Sequence, residues 1–364
     1  MDKKYCLLVK TGDAELRAME NTKNSVKQSI LSLIELTRGR KIPSRKGVPD
    51  PDEPYPYEKK IEKIKTIFGG CDIIIDVTSD EKLTSKQIND LYDPTGGYSN
   101  WVSFLTDLKD SSAFNSLSPC IILDSEDNSW EDNLALQVRA LSKSFNCIVY
   151  RNDIYDDFCY DDIEIIKPHL NGAELMVVVD CSYIIQSTVS QYVEKVKARL
   201  SHLNGILPEG TKIVVSSTSF PNNISEIGDD RTDTFSLSEV MLYQSLGDSS
   251  IVYSDYGSVN PIRNDNVFMA RGWIPRIDVP LNNTLFYYRQ RRPSQSDGYA
   301  PTYSAVAKQV VNDSRFPREM NDNWGVMQII KCASGSSPSS QPSFWISVRM
   351  CIHLEMQAKR LGLL

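Results

Sequence analysis

Several short apolar runs in this sequence end in or beside a side chain that could do chemistry. Glu35, Asp76, Asp124, Asp180 and Asp255 supply carboxylates, Lys10 and Arg151 supply cations, and Ser217 with Ser219 supply hydroxyls. Carboxylates brought together repel one another unless a cation relieves them. Two chemistries follow from such a set. One is a Mg²⁺ or Mn²⁺ site acting on phosphate; the other is a carboxylate acid/base pair. Glu35, Asp76, Asp124 and Asp180 are the candidate catalytic groups. Lys10, Arg38, Arg151, Asp255 and Arg271 are the candidates for holding a ligand. Aspartate at a strand end also caps the next helix or fills a turn, which is the competing role for each carboxylate taken alone.

Other chemistries lose support. The sequence has three histidines (His169, His202 and His353), and none falls at the end of an apolar run. This argues against histidine-dependent phosphodiester or zinc chemistry. The eight cysteines include no C-x-x-C pair and sit in or beside apolar runs, as reduced, buried thiols do. No G-x-S-x-G, G-x-x-x-x-G-K-[ST] or G-x-G-x-x-G motif appears. Lys10-Thr11-Gly12-Asp13 could turn backbone amides toward an anion at a helix start, or could simply link strand to helix.

The apolar runs are Tyr5–Lys10, Ser32–Leu36, Asp72–Thr78, Cys120–Asp124, Cys147–Arg151, Leu175–Asp180, Lys212–Ser216 and Ser250–Ser254. Each is apolar at consecutive positions, as in a parallel strand buried on both faces. Amphipathic stretches at Glu15–Leu31, Tyr57–Phe68, Trp130–Phe145 and Val189–Leu203 read as helices between them. Eight strands in one βα series predict a closed (β/α)₈, TIM-barrel-like α/β fold. In such a barrel the site lies at the C-terminal ends of the strands, where the polar residues above fall.

The domain reading is a barrel over residues 1–256, interrupted by a proline-rich loop at 38–57, followed by a mixed β/α appendage over 257–364 that packs on it. Charge divides at the same place. Residues 1–256 carry 27 basic and 40 acidic side chains, a net of −13; residues 257–364 carry 13 and 7, a net of +6. The first part has 8 Arg and 19 Lys, the second 10 Arg and 3 Lys. Arginine favours phosphate or carboxylate pairing. Arg271-Gly272-Trp273 and Tyr287-Tyr288-Arg289-Gln290-Arg291-Arg292 set arginines beside aromatics, which suits a nucleotide or single strand. They suit a segment docked on an acidic body equally well. The overall charge of −7 excludes only uniform coating of a polyanion. No apolar run approaches the ~18 residues of a membrane span, and the start lacks a signal-peptide core, so a cytoplasmic protein is expected.

Lys10-x-Gly12-x-x-Glu15, Leu33-Ile34-Glu35-Leu36-Thr37-Arg38-Gly39-Arg40-Lys41 and Ile75-Asp76-Val77-Thr78 resemble the opening of the beta family proteins of satellite prophages and bacterial defence islands. Asp180-x-x-Tyr183-Ile184, Phe220-Pro221, Asp255-Tyr256-Gly257 with Pro261, and Arg271-Gly272-Trp273 resemble its later blocks, in order over nearly the whole chain. The third-strand block reads Asp76-Val77-Thr78-Ser79-Asp80, without the arginine that the family pattern leads one to expect near position 79. The resemblance implies a role in anti-phage defence or a toxin–antitoxin pairing with a neighbouring gene product, and assigns no chemistry. Two functions are therefore expected. One is a barrel mouth that binds a nucleotide or nucleic acid, with metal-assisted phosphodiester hydrolysis as its enzymatic form and Mg²⁺ as the cofactor that form would use. The other is a non-catalytic regulator or antitoxin-like partner of a toxic effector.

Overall fold

In the computed structural model, described here for residues 3–44, 49–124, 126–222, 231–262, 272–294 and 296–364, seven of the eight apolar runs supply strands of a parallel ring of eight. The strands are β1 (Tyr5–Lys10), β2 (Leu31–Leu36), β3 (Asp72–Val77), β4 (Ser116–Pro119), β5 (Cys147–Asp153), β6 (Glu174–Tyr183), β7 (Lys212–Thr218), β8 (Thr232–Ser236), β9 (Val252–Asp255), β10 (Arg276–Pro280) and β11 (Thr284–Arg289). The helices are α1 (Asp13–Asn21), α2 (Asn24–Ser29), α3 (Glu58–Ile67), α4 (Lys86–Leu91), α5 (Thr95–Asp110), α6 (Trp130–Ser144), α7 (Cys159–Ile166), α8 (Val189–Ile206), α9 (Ser238–Leu246), α10 (Tyr299–Asn312), α11 (Trp324–Ala333) and α12 (Pro342–Arg360). The large sheet runs β4-β3-β2-β1-β9-β7-β6-β5, parallel throughout. A parallel bridge between Cys120 and Val149 joins its two edges. The fold is a TIM-barrel-like α/β barrel with a C-terminal β/α addition.

Period-2 alternation explains why these strands are apolar on both faces. Cys6, Leu8, Leu31, Leu33, Ile74, Cys147, Val149, Met176, Val178 and Val214 fill the lumen. Their neighbours Leu7, Val9, Ile34, Ile73, Ile75, Ile148, Val177, Val179 and Val215 pack outward under the helices.

The fourth strand differs from the sequence expectation of Cys120–Asp124. The ladder lies at Ser116–Pro119, and the chain has left it by Ile122. There the side chain of buried Gln137 replaces a strand neighbour. Its Oε1 accepts from Ile122 N at 2.9 Å, and its Nε2 donates to Ile122 O at 2.8 Å. An apolar run therefore marked burial here, and a side-chain amide met the backbone's hydrogen-bonding need. The helix expected over Glu15–Leu31 breaks at Thr22 and Lys23, which are extended, and its last residue opens β2.

Strand β8 carries no apolar run and escaped the sequence reading. It pairs antiparallel with β11, whose other edge holds β10. The smaller sheet thus takes one strand from between barrel strands β7 and β9. Helix α12 is shared in the same way. Met350, Cys351, Leu354 and Ala358 face the barrel core, whereas Trp345, Val348, Ile352 and Met356 face the core under β10 and β11. Cys351 Sγ reaches Ala18 O at 3.1 Å and Ser347 Oγ donates to Ala14 O at 2.8 Å, so α12 lies against α1 and serves as the barrel's eighth helix.

The arginines of the C-terminal part pair mainly within it. Arg276 and Arg349 both reach Asp278 (2.5 and 3.0 Å), and Arg315 reaches Asp313 at 2.7 Å. Arg276 also lies 3.8 Å from the Tyr287 ring. Trp273 stacks on Tyr299 at 3.9 Å. Across to the barrel, Lys23 of the acidic part meets Asp322 (2.7 Å) and Glu355 (3.1 Å) of the basic part, the reverse of the net charges. In the proline-rich segment Gly39 N donates to Tyr55 O and Ile42 N to Pro54 O, both at 2.9 Å, so its two limbs fold together.

Candidate functional site

The strand parity that fills the lumen also builds the site. One step beyond Leu8, Leu33, Ile74, Val149 and Val178, the inward positions are Lys10, Glu35, Asp76, Arg151 and Asp180. Register sets Lys10 beside Glu35 and Glu35 beside Asp76. Arg151 reaches across from β5. Its Nη1 donates to Glu35 Oε2 at 3.0 Å and to Asp76 Oδ2 at 2.9 Å. Its Nε and Nη2 donate to Asp180 Oδ2 at 3.1 and 2.8 Å, and Nη2 also donates to Tyr256 Oη at 3.2 Å. A guanidinium has five N–H groups, and these contacts use all of them.

The carboxylates are equally committed. Glu35 Oε1 takes Lys10 Nζ at 2.6 Å. Asp76 Oδ1 takes Val77 N at 2.8 Å, and Asp180 Oδ1 takes Ser182 N at 2.9 Å. Tyr256 Oη donates to Asp180 Oδ2. Burial opposes ionisation of Glu35, but Arg151 and Lys10 outweigh it and hold the carboxyl at about 2. Burial, aided by the Glu35 charge, pushes Asp76 up despite Arg151.

Of the residues singled out from sequence, the fold brings together Lys10, Glu35, Asp76, Arg151 and Asp180. Arg151, expected to hold a ligand, is instead the hub of the network. Three other candidates, Asp124, Arg38 and Asp255, lie elsewhere. Asp124 follows the β4 turn-off and lines two flanking cavities. Arg38 stacks on Tyr55 at 4.5 Å. Asp255 faces away from the lumen, because the inward positions of β9 and its extension are Val252, Ser254 and Tyr256. It is fully buried and binds His353 Nε2 at 2.7 Å, Tyr253 Oη at 2.7 Å and Tyr5 Oη at 2.9 Å, which pins α12 to the barrel. Arg271 lies outside the described residues. Gly12 has φ −78°, an ordinary extended value, and Asp13 behind it is paired with Arg40 at 2.8 Å, so this helix start presents a carboxylate beside any anion.

Tyr256 is the network member that the sequence reading missed. Counting by twos from Val252 would have found it. Gly257 makes its position possible. The chain turns there at φ +62°, and a Cβ would come within 2.9 Å of Met350 Cε.

Above the network lies a cavity of about 540 Å³, within the range of small-molecule sites. Among the described residues its walls carry six carboxylates (Glu35, Asp76, Asp80, Asp153, Asp156 and Asp180) against three cations (Lys10, Lys82 and Arg151), together with Pro261 and Ile262. Cavities of about 640 and 440 Å³ flank it, and Leu123 lines all three. The donor set does not fit a divalent ion. Among the described residues no group of three or more His, Cys, Asp or Glu is disposed to hold one. Arg151 supplies the positive charge around which Glu35, Asp76 and Asp180 converge.

A family model described as Beta protein matches residues 5–359. "Protein beta" of Enterobacteria phage P4 is 24% identical over 360 residues, covering 97% of this chain and 92% of that protein. A crystal structure of chitinase from Chromobacterium violaceum ATCC 12472 aligns over 96% of this chain and 99% of its own, at 9% identity and a TM-score of 0.35, a likeness too slight to carry an argument. Among the described residues no helix is long and apolar enough to cross a membrane.

Proposed function

Because the chain belongs to the beta protein family, we propose that it is a phage-related barrel protein whose mouth binds a small molecule that is neutral or positively charged and donates hydrogen bonds. The observation carrying this reading is the saturated Arg151. With all five N–H groups engaged, it offers no fork to a phosphate, while among the described residues around it carboxylates outnumber cations six to three. A nucleotide or nucleic acid phosphate would meet net repulsion here. Metal-assisted phosphodiester cleavage finds no free carboxylate set. The Arg151 network instead forms a rigid floor, and Asp80, Asp153 and Asp156 accept hydrogen bonds from the occupant. The biological setting is anti-phage defence, in keeping with the relationship to a phage protein.

The test is thermal unfolding with a panel of sugars, polyamines and Mg²⁺-ATP, paired with phage plaquing on cells expressing the protein. A ligand at ~100 times its Kd adds about 2.7 kcal/mol. At about 2.1 cal/mol/K per residue, this raises Tm by about 3–4 °C for 364 residues. Asp80→Asn with Asp153→Asn should remove both the shift and the protection. Saturable binding of Mg²⁺-ATP that survives those substitutions would overturn the reading.

A second reading, a regulator that docks a partner protein, is favoured by the barrel rim, where Tyr155 and Phe158 stand 58% and 71% exposed. Its test is co-purification with the neighbouring gene product, and protection by the protein expressed alone counts against it.

A further inference from the structure

The cavity of about 440 Å³ beside the mouth has a different chemistry from the mouth itself. Among the described residues its walls are Leu123, Trp130 and Phe158 on the apolar side and Asp124, Asp156 and Asp162 on the acidic side, with no cation among them. The carboxylates are held in place. Asp162 Oδ2 accepts from Tyr150 Oη, Asp156 Oδ2 from Asn152 Nδ2 at 2.7 Å, and Asp124 Oδ1 from Glu126 N at 2.9 Å. Phe158, on the cavity wall, is 71% exposed. Neighbouring rings of the same segment already hold cations: Lys195 Nζ lies 3.7 Å from the Tyr155 ring and Arg199 lies 5.2 Å from Tyr160.

Two aromatic rings and three carboxylates lining one cavity attract a cation that also has an apolar body. The ring faces contribute a negative quadrupole, the carboxylates contribute charge, and the apolar surface is covered on binding. A hydrated metal ion gains nothing from the rings, and an anion is repelled by the acids. We infer that this cavity is a binding site for an organic cation, a guanidinium or alkylammonium group on an apolar stem, beside the mouth over Arg151, with which it shares Leu123 and Asp156. The same chemistry is offered by a free amine and by an arginine side chain of a partner protein.

Calorimetric titration with three probes tests the site: agmatine, the peptide acetyl-Gly-Arg-Gly-amide, and the same peptide with neutral citrulline for arginine. In the Asp80→Asn, Asp153→Asn background, which silences the mouth, both cations should bind saturably at one site, at least tenfold tighter than the citrulline peptide. A peptide preference would identify the source as a protein side chain, and an agmatine preference a free amine. Phe158→Ala and Asp124→Asn should each weaken binding about fivefold or more. Glu131→Gln removes a nearby acid that does not line the cavity and should change nothing. The inference fails if arginine and citrulline peptides bind alike. It fails equally if Glu131→Gln weakens binding as much as Phe158→Ala, or if no saturable binding occurs up to about 10 mM. The mouth substitutions Asp80→Asn and Asp153→Asn should leave this site intact, so failure of one site is separable from failure of the other.

Discussion

Replacing Arg151 by methionine removes the cation that Glu35, Asp76 and Asp180 share and leaves Lys10 as their only partner of opposite charge in the network. Breaking a buried ion pair by deleting one partner costs about 3–5 kcal/mol, because the remaining charge is uncompensated. At about 2.1 cal/mol/K per residue, this chain of 364 residues loses about 4–7 °C in Tm at pH 7. The pH dependence is the sharper test. In the native protein Glu35 is held at about 2, below its ordinary 4.5. A carboxylate depressed in this way stabilises the fold above pH 4.5, and that stability is lost as pH falls toward 2. In Arg151→Met, Glu35 loses the main charge that holds it down and shifts upward, and Asp76, already raised by burial, shifts further. A group with a raised folded pKa is stabilising below its unfolded pKa and loses that contribution as pH rises through the folded value. The variant's deficit should therefore shrink steadily between pH 7 and pH 4.5. Differential scanning calorimetry across that range gives both curves. A deficit below about 1 kcal/mol at pH 7, or one that does not change with pH, would refute the idea that Arg151 holds this site together.

Glu35→Gln should flatten the acid limb of stability between pH 4.5 and 2, a contribution on the order of 3 kcal/mol for a shift of this size; acid titration followed by circular dichroism measures it. Tyr256→Phe leaves one Arg151 N–H without its acceptor and should cost about 1–2 kcal/mol, read as a Tm lowered by about 1–3 °C with the fold unchanged. His353→Leu removes one of the three side-chain partners of the fully buried Asp255, and its cost of about 1–3 kcal/mol should appear as faster hydrogen exchange along α12. Gly257→Ala places a Cβ against Met350 at a positive φ, and should lower Tm and loosen Tyr256 together, which a second Tm measurement in the Tyr256→Phe background can separate.

Much of the barrel could be read without coordinates, because each strand is an apolar run that packs on both faces. Lys10, Glu35, Asp76, Arg151 and Asp180 could be named because a polar residue ending such a run is conspicuous. The reading failed where local pattern and spatial role separate. Asp255 is as conspicuous as Asp180, yet one step of strand parity turns it outward onto His353. Tyr256, one residue later, turns inward. Thr232–Ser236 has no apolar signature, since its partner strand lies some fifty residues further on. Ile121–Leu123 has one and yet leaves the ladder, because Gln137 serves its backbone.

The sequence by itself determined the class of fold, the number of barrel strands and the pool of charged groups at the strand ends, since these follow from the period and polarity of neighbouring residues. Only the tertiary structure decided what those charges do. Which carboxylates meet depends on register around a closed ring, and Arg151 and Glu35 are 116 residues apart. Closure placed one guanidinium at the focus of three carboxylates and used every N–H it has. A set of residues suited to phosphate or metal thereby became a mutually paired network on the floor of a cavity.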